Sequence, residues 1–181
     1  MIEIRAHGRG GQGAVTAMEI LAKAAAMDGK FVQAFPYFGV ERRGAPVRAF
    51  CRISEGPMTL RSQIYKPDYI LVLDPSLLEL PEIQDGLKED SVVVANSREK
   101  PNPGFSQKTY HYDATSLAVD VLGRDIVNTA MLGVFAKATG LVSLESLLKV
   151  VGGKFEGKVA ELNRQLVERA YKETGVQTDE R

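Results

Sequence analysis

Cysteine is nearly missing from this chain of 181 residues, where Cys51 stands alone. An internal disulfide is therefore excluded, and so is an iron–sulfur cluster held by four cysteines of this chain. Histidine is scarce too. His7 and His111 are the only two, neither has a partner at zinc-ligand spacing, and no metal site is visible. Neither sign of charge is in excess, because 23 Lys and Arg balance 23 Asp and Glu. That balance speaks against binding nucleic acid through a broad basic surface. No apolar run approaches the ~18 residues of a membrane span. The start, Met1-Ile2-Glu3-Ile4-Arg5, lacks the basic-then-apolar layout of a secretory signal, so a cytoplasmic location is expected. No Ser-His-Asp ordering, no motif of paired carboxylates and no activated cysteine offers catalytic machinery. Cys51 alternates with apolar neighbours between Val47 and Ile53 and reads as a buried structural thiol.

What is present is an average globular composition, 44% hydrophobic and 25% charged, in a chain long enough to bury one core. Residues 2–7 alternate apolar and polar and read as a strand. Residues 14–27, rich in Ala, Leu, Met and Lys without Gly or Pro, read as a helix with Gly29 placed to end it. Residues 30–35 give a second strand, so a parallel strand–helix–strand crossover is the natural expectation. Residues 47–53 are strand-like, and residues 59–62 could return beside them as a hairpin after the turn at 54–57. The unbroken apolar runs at 69–73 and 91–95 suit strands buried on both faces, and 109–112 suits another. From Ala114 the pattern is helical. Leu144, Leu147, Leu148 and Val151 form one stripe, and Phe155, Val159, Leu162, Leu166 and Ala170 form the apolar face of a last helix. The opposite face of that helix pairs Glu161 with Gln165 and Glu168 with Lys172 at i,i+4 spacing, and residues 177–181 are expected to fray. The expectation is a single α/β domain over residues 1–181 with a mostly parallel sheet, flanking helices and a helical C-terminal third.

Two segments stand out. Gly8, Gly10 and Gly13 fit G-x-G-x-x-G between a strand and a helix, where backbone N–H groups can approach an anion at the helix N-terminus. A dinucleotide site would also need an acid at the end of the second strand, which instead ends Gln33-Ala34-Phe35-Pro36. Asp28 has about the right distance but precedes the strand. A phosphate loop of the Lys-Ser/Thr kind fails as well, because Ala14-Val15 stands where that pair belongs. Two uses of the glycines stay open: contact with an anion or cofactor, or tight packing and subunit contact. The other segment, residues 35–46, combines three aromatics, two prolines and the pair Arg42-Arg43. Aromatics beside arginines suit an interface, and the guanidinium fork suits phosphate or carboxylate. In a parallel sheet both segments would lie at the carboxyl ends of neighbouring strands, where open α/β sheets bind ligands. His7, at the mouth of the first strand, is a polar residue beside the glycine segment.

The string His7-Gly8-Arg9-Gly10-Gly11-Gln12-Gly13-Ala14-Val15-Thr16-Ala17 resembles the gamma subunit of 2-oxoacid:ferredoxin oxidoreductases, pyruvate:ferredoxin oxidoreductase above all. So do Ala34-Phe35-Pro36-Tyr37-Phe38-Gly39-Val40-Glu41-Arg42-Arg43-Gly44-Ala45-Pro46-Val47 and Asn128-Thr129-Ala130-Met131-Leu132-Gly133. The resemblance covers essentially the whole chain. It implies a Rossmann-like fold and membership in a hetero-oligomeric complex that oxidatively decarboxylates a 2-oxoacid to acyl-coenzyme A and CO2 while reducing ferredoxin. Thiamine diphosphate and iron–sulfur clusters would sit on partner subunits. This chain would serve assembly and coenzyme A contact, through Gly8, Arg9, Gly10, Gly11, Gln12, Gly13, Arg42 and Arg43, with no catalytic residue or metal ligand of its own. Alone it would be inactive. A stand-alone nucleotide-binding oxidoreductase and a ligand-free scaffold are the competing readings.

Overall fold

The structure, a computed structural model, describes residues 1–37, 44–101 and 104–175. Its strands are β1 (Ile2–Arg9), β2 (Phe31–Pro36), β3 (Pro46–Ser54), β4 (Tyr69–Val72), β5 (Val92–Asn96) and β6 (Lys108–Tyr112). They form one sheet in the order β2-β3-β1-β4-β5-β6. The pairs β1–β4, β4–β5 and β5–β6 are parallel, whereas β3 runs antiparallel to both β1 and β2. The helices are α1 (Ala14–Met27), the single turn α2 (Pro81–Gln84), α3 (Ala114–Leu122), α4 (Asn128–Thr139), α5 (Leu144–Lys154) and α6 (Gly157–Glu173). The α/β class, the mostly parallel sheet and the helical C-terminal third are as expected.

Three expectations need correction. The crossover from β1 through α1 does reach a strand of the same direction, but β3 lies between β1 and β2. The chain turns back after β2, and a hairpin return is antiparallel by geometry, so β3 occupies the edge that a neighbouring parallel strand would have used. Residues 59–62 form no strand. Both edges of β3 are already filled, by β1 and by β2, so no ladder is left for a third partner. The apolar face of α6 is also rotated from the expected stripe. Asn163, Leu166, Val167 and Ala170 are buried, whereas Val159 is 53% exposed. The Glu168–Lys172 pair forms at 2.6 Å. Residues 177–181 lie outside the described residues.

Alternation along the strands explains where the core sits. Ile4 and Ala6 of β1, Ala49, Cys51 and Ile53 of β3, Leu71 of β4 and Val94 of β5 point to one face, where α1 and α3–α6 cover them. Five buried alanines of α1, at 14, 17, 22, 24 and 25, let that helix lie close on the sheet. It ends in a Schellman motif: Gly29 (φ 82°) donates to the Ala26 carbonyl and Lys30 to that of Ala25. Asp28 at the same end accepts hydrogen bonds from Ser143 N–H (2.7 Å) and from the Ser143 and Ser146 hydroxyls, which ties α1 to the start of α5. On the other face Ile70, Val72, Val93 and Ala95 meet an apolar cover from Leu77, Leu78 and Ile83. Cys51 is fully buried, and burial pushes its thiol up to about 12, as a structural role requires.

Candidate functional site

The glycine segment begins inside a strand. β1 continues through Gly8 and Arg9, which pair with Val47 and Pro46 of β3, and the ladder carries on into the loops. Gly10 N–H donates to the Ala45 carbonyl at 2.8 Å, and Gly44 N–H donates to the Gly10 carbonyl at 3.1 Å. The glycine segment and the β2–β3 connection are thus brought side by side, as the sequence suggested. They meet across β3, not on adjacent parallel strands.

The glycines do different jobs. A side chain at Gly8 would stand 3.3 Å from Leu73 Cδ1 and 3.5 Å from Ala14 Cβ, so its absence lets strand, helix and β4 converge. Gly13, with φ 78°, is the N-cap of α1, and a side chain there would collide with Asn128 Nδ2 at 2.5 Å. Gly11 also needs glycine for its backbone, with φ 97°, yet nothing lies within 4 Å of where its side chain would be. Protein atoms hem in Gly8 and Gly13. Gly11 alone of these three faces open space.

Polar side chains pin the loop. Gln12 Oε1 accepts from the Arg9 N–H (2.7 Å), and Gln12 Nε2 donates to Asp74 Oδ2 (3.0 Å). The Arg9 guanidinium pairs with the same oxygen at 3.2 Å and donates to the Gly44 carbonyl (3.1 Å) and Ser76 Oγ (2.7 Å). Asp74 Oδ1 in turn accepts from Ser76 N–H and Oγ–H, capping the short turn of residues 75–77. Burial would raise the Asp74 carboxyl, but the bonds from Ser76 and Gln12 and the Arg9 charge outweigh it and hold it below the ordinary range. Arg9 is therefore an internal strut between three segments. Arg42 and Arg43 lie outside the described residues.

His7 is not part of this loop cluster. It points to the opposite sheet face from Gly8 and is 4% exposed. Burial, then the charges of Arg5 and Arg48, hold its imidazole well below its usual value, so it is neutral. Asp74, Ser76 and Asn128 were not singled out from sequence. Asp74 carried a usable signal, because it ends a buried strand parallel to β1 and so falls at the carboxyl edge with the glycines. Asn128 opens the Asn-Thr-Ala-Met-Leu-Gly string but gave no hint of meeting Gly13, 115 residues away. Among the described residues no group of three or more His, Cys, Asp or Glu could hold a metal ion, and no helix is long and apolar enough to cross a membrane.

A mixed six-stranded sheet flanked by helices, with its glycine turn pinned at the carboxyl edge of β1, defines an α/β domain. Residues 3–173 match the family model described as pyruvate ferredoxin/flavodoxin oxidoreductase, and the chain belongs to that family. It is 59% identical over 173 residues to the pyruvate synthase subunit PorC of Methanocaldococcus jannaschii, covering 96% of this chain and 97% of that one. It is 50% identical over 182 residues to the pyruvate/ketoisovalerate oxidoreductases common subunit gamma of Pyrococcus abyssi, covering 97% and 98%. Among solved structures it resembles the pyruvate oxidoreductase subunit PORC of Thermotoga maritima, with TM-score 0.84, 40% identity and coverage of 94% and 95%.

Proposed function

We propose that this chain is the gamma subunit of a pyruvate (2-oxoacid):ferredoxin oxidoreductase, the complex that converts a 2-oxoacid, coenzyme A and oxidised ferredoxin to acyl-coenzyme A, CO2 and reduced ferredoxin. The observation that carries this is the match of residues 3–173 as one unit to the family, with relatives covered nearly end to end. One domain spans the chain, and it works in the cytoplasm with partner subunits that hold thiamine diphosphate and the iron–sulfur clusters. The Pyrococcus relative's name describes a subunit common to two oxidoreductases, which favours substrate choice on other chains. A stand-alone dinucleotide enzyme is disfavoured, because β2 ends at Pro36 without an acid and Asp28 is committed to α5.

The part this chain plays toward coenzyme A rests on loop geometry. Gly11 leaves backbone open at the carboxyl edge of β1, next to the connection that bears Arg42 and Arg43. Arg9 and Gln12 hold the loop shape, and the Arg42-Arg43 forks supply the charge that meets the phosphates of coenzyme A. In the assembled complex, Arg42→Ala with Arg43→Ala raises KM for coenzyme A by about tenfold, the worth of one charge-assisted hydrogen bond, with kcat for the 2-oxoacid and subunit stoichiometry unchanged. An unchanged KM in a complex of normal stoichiometry overturns the coenzyme A role and leaves assembly as the function.

A further inference from the structure

The sheet face turned away from α1 and α3–α6 contains a cavity of about 120 Å³ between the ends of β1 and β3 and the segment that includes α2. His7, Tyr37, Arg48 and Glu82 line it, with Leu77 and Leu80 closing the apolar side. The polar walls are oriented. His7 Nε2 lies 2.9 Å from Arg5 Nε, a nitrogen that can only donate, so Nε2 is the acceptor and the neutral ring carries its proton on Nδ1. Among the described residues that Nδ1–H has no hydrogen-bond partner, and since Gln107 Oε1 is the one sealed side-chain atom among them left unpaired, Nδ1 opens on the cavity that His7 lines. Arg48 stands opposite His7 in the β1–β3 register, with its guanidinium 4.1 Å above the Tyr37 ring. Stacking fixes the plane of the guanidinium and leaves its N–H edge available. No carboxylate among the described residues pairs with Arg48, nor with Arg5, which gives its Nη2 donors to the Glu82, Ile83 and Asp85 carbonyls instead. The one carboxylate at the cavity, Glu82, belongs to an exposed residue.

We infer that this cavity holds a compact oxoanion, one carboxylate or one phosphoryl group, which accepts from the Arg48 guanidinium and from His7 Nδ1–H. Size sets the class of ligand. A whole nucleotide or drug-sized molecule needs roughly 300 Å³ or more, so only a single small group enters. Charge sets its sign. A desolvated guanidinium behind a neutral imidazole and a second guanidinium beside it make a wall of positive sign, which the Asp85 charge on Arg5 and the exposed Glu82 oppose without an ion pair among the described residues. The group arrives either as a free small anion or as the end of a larger ligand. This inference does not depend on the subunit reading.

The test uses the full chain labelled with nitrogen-15, where His7 and His111 give the only two imidazole signal sets. Inorganic phosphate, acetate, coenzyme A and dephospho-coenzyme A are titrated separately at constant ionic strength, with chloride as the control. The His7 ring signal shifts saturably with phosphate or acetate at roughly millimolar affinity, and Arg48→Ala weakens that affinity about tenfold, as removal of one charge-assisted bond requires. Arg48→Gln, which keeps the stem on Tyr37, serves should the alanine variant misfold. Glu82→Gln tightens binding. Saturation by phosphate only assigns a phosphoryl group, and by acetate only a carboxylate. Saturation by coenzyme A well below the phosphate range, retained or abolished in the dephospho form, identifies a larger carrier. No saturable shift with any probe, or an equal shift in folded Arg48→Ala and Arg48→Gln, overturns the inference.

Discussion

The two faces of the sheet are closed by opposite means. One is covered by five helices through small and aliphatic side chains, from the alanines of α1 to Phe135 and Leu132 of α4. The other, beside β1 and β3, is covered by irregular segments, and the side chains beneath them are Arg5 and Arg52, each 1% exposed. The difference follows from backbone accounting. A long helix satisfies its own carbonyls and can rest on hydrocarbon, whereas a loop or a single helical turn presents carbonyls that need donors. Arg5 serves three of them around α2, and Arg52 serves Ser62 and Gln63 while its Nε pairs with Glu3 at 2.8 Å. Buried guanidinium is the donor that supplies several bonds from one side chain. Its cost is desolvation, which with the charge of Arg48 lowers Arg5 to about 10 despite the opposing Asp85.

The helical face is broken most severely at Gly133. A side chain there would stand 2.4 Å from the Val167 carbonyl oxygen and 3.2 Å from Ala170 Cβ, so α4 and α6 meet backbone to side chain with no slack. Gly133→Val forces the helices apart and costs about 3 kcal/mol or more, read as a drop in the urea midpoint. A loss under about 1 kcal/mol would mean that this face is not close-packed in solution.

The polar face has its own test in Arg5→Met, which keeps stem volume and removes every donor. It destabilises by about 2 kcal/mol because the buried Ile83 carbonyl, the part-buried carbonyls of Glu82 and Asp85 and His7 Nε2 lose their partner, and chemical denaturation measures it. A neutral or stabilising result would place this arginine with buried charges that hydrophobic packing can replace, and the contrast between the faces would reduce to sequence accident.

Legibility from sequence divides along the same line. The α1 boundaries, the buried strands β4 and β5 and the stripe of α5 were readable because local period and composition agree with their burial. The place of β3 between β1 and β2 was not, since nothing local in residues 46–54 states which neighbours a strand will have. Arg5 and Arg52 look like the solvent half of an alternating strand, and only tertiary cover turns them into core. At the site, the nearness of the glycine segment and the β2–β3 connection was expected from adjacent parallel strands, whereas the antiparallel β1–β3 ladder that makes it was not legible. The strut that Arg9 makes to Asp74 and Ser76 was not legible, because those residues come from a segment 65 and more positions away.

The finest probe of the helical side is one of its polar clasps, Asp28 on α5. Burial alone would raise this carboxyl, but the bonds from Ser146 and Ser143 prevail and hold it below its ordinary 3.8. A carboxyl lowered by folding stabilises fully above its unfolded value and loses that contribution as pH falls through the folded one. Asp28→Ala therefore costs about 1 kcal/mol at pH 7, the usual worth of a helix cap, and the gap to the parent chain closes as pH falls through the lowered folded value. Paired unfolding curves at neutral and acid pH read both numbers. A gap that stays constant into acid would show that the clasp works by shape and neutral hydrogen bonds. Both faces would then depend on geometry more than on charge.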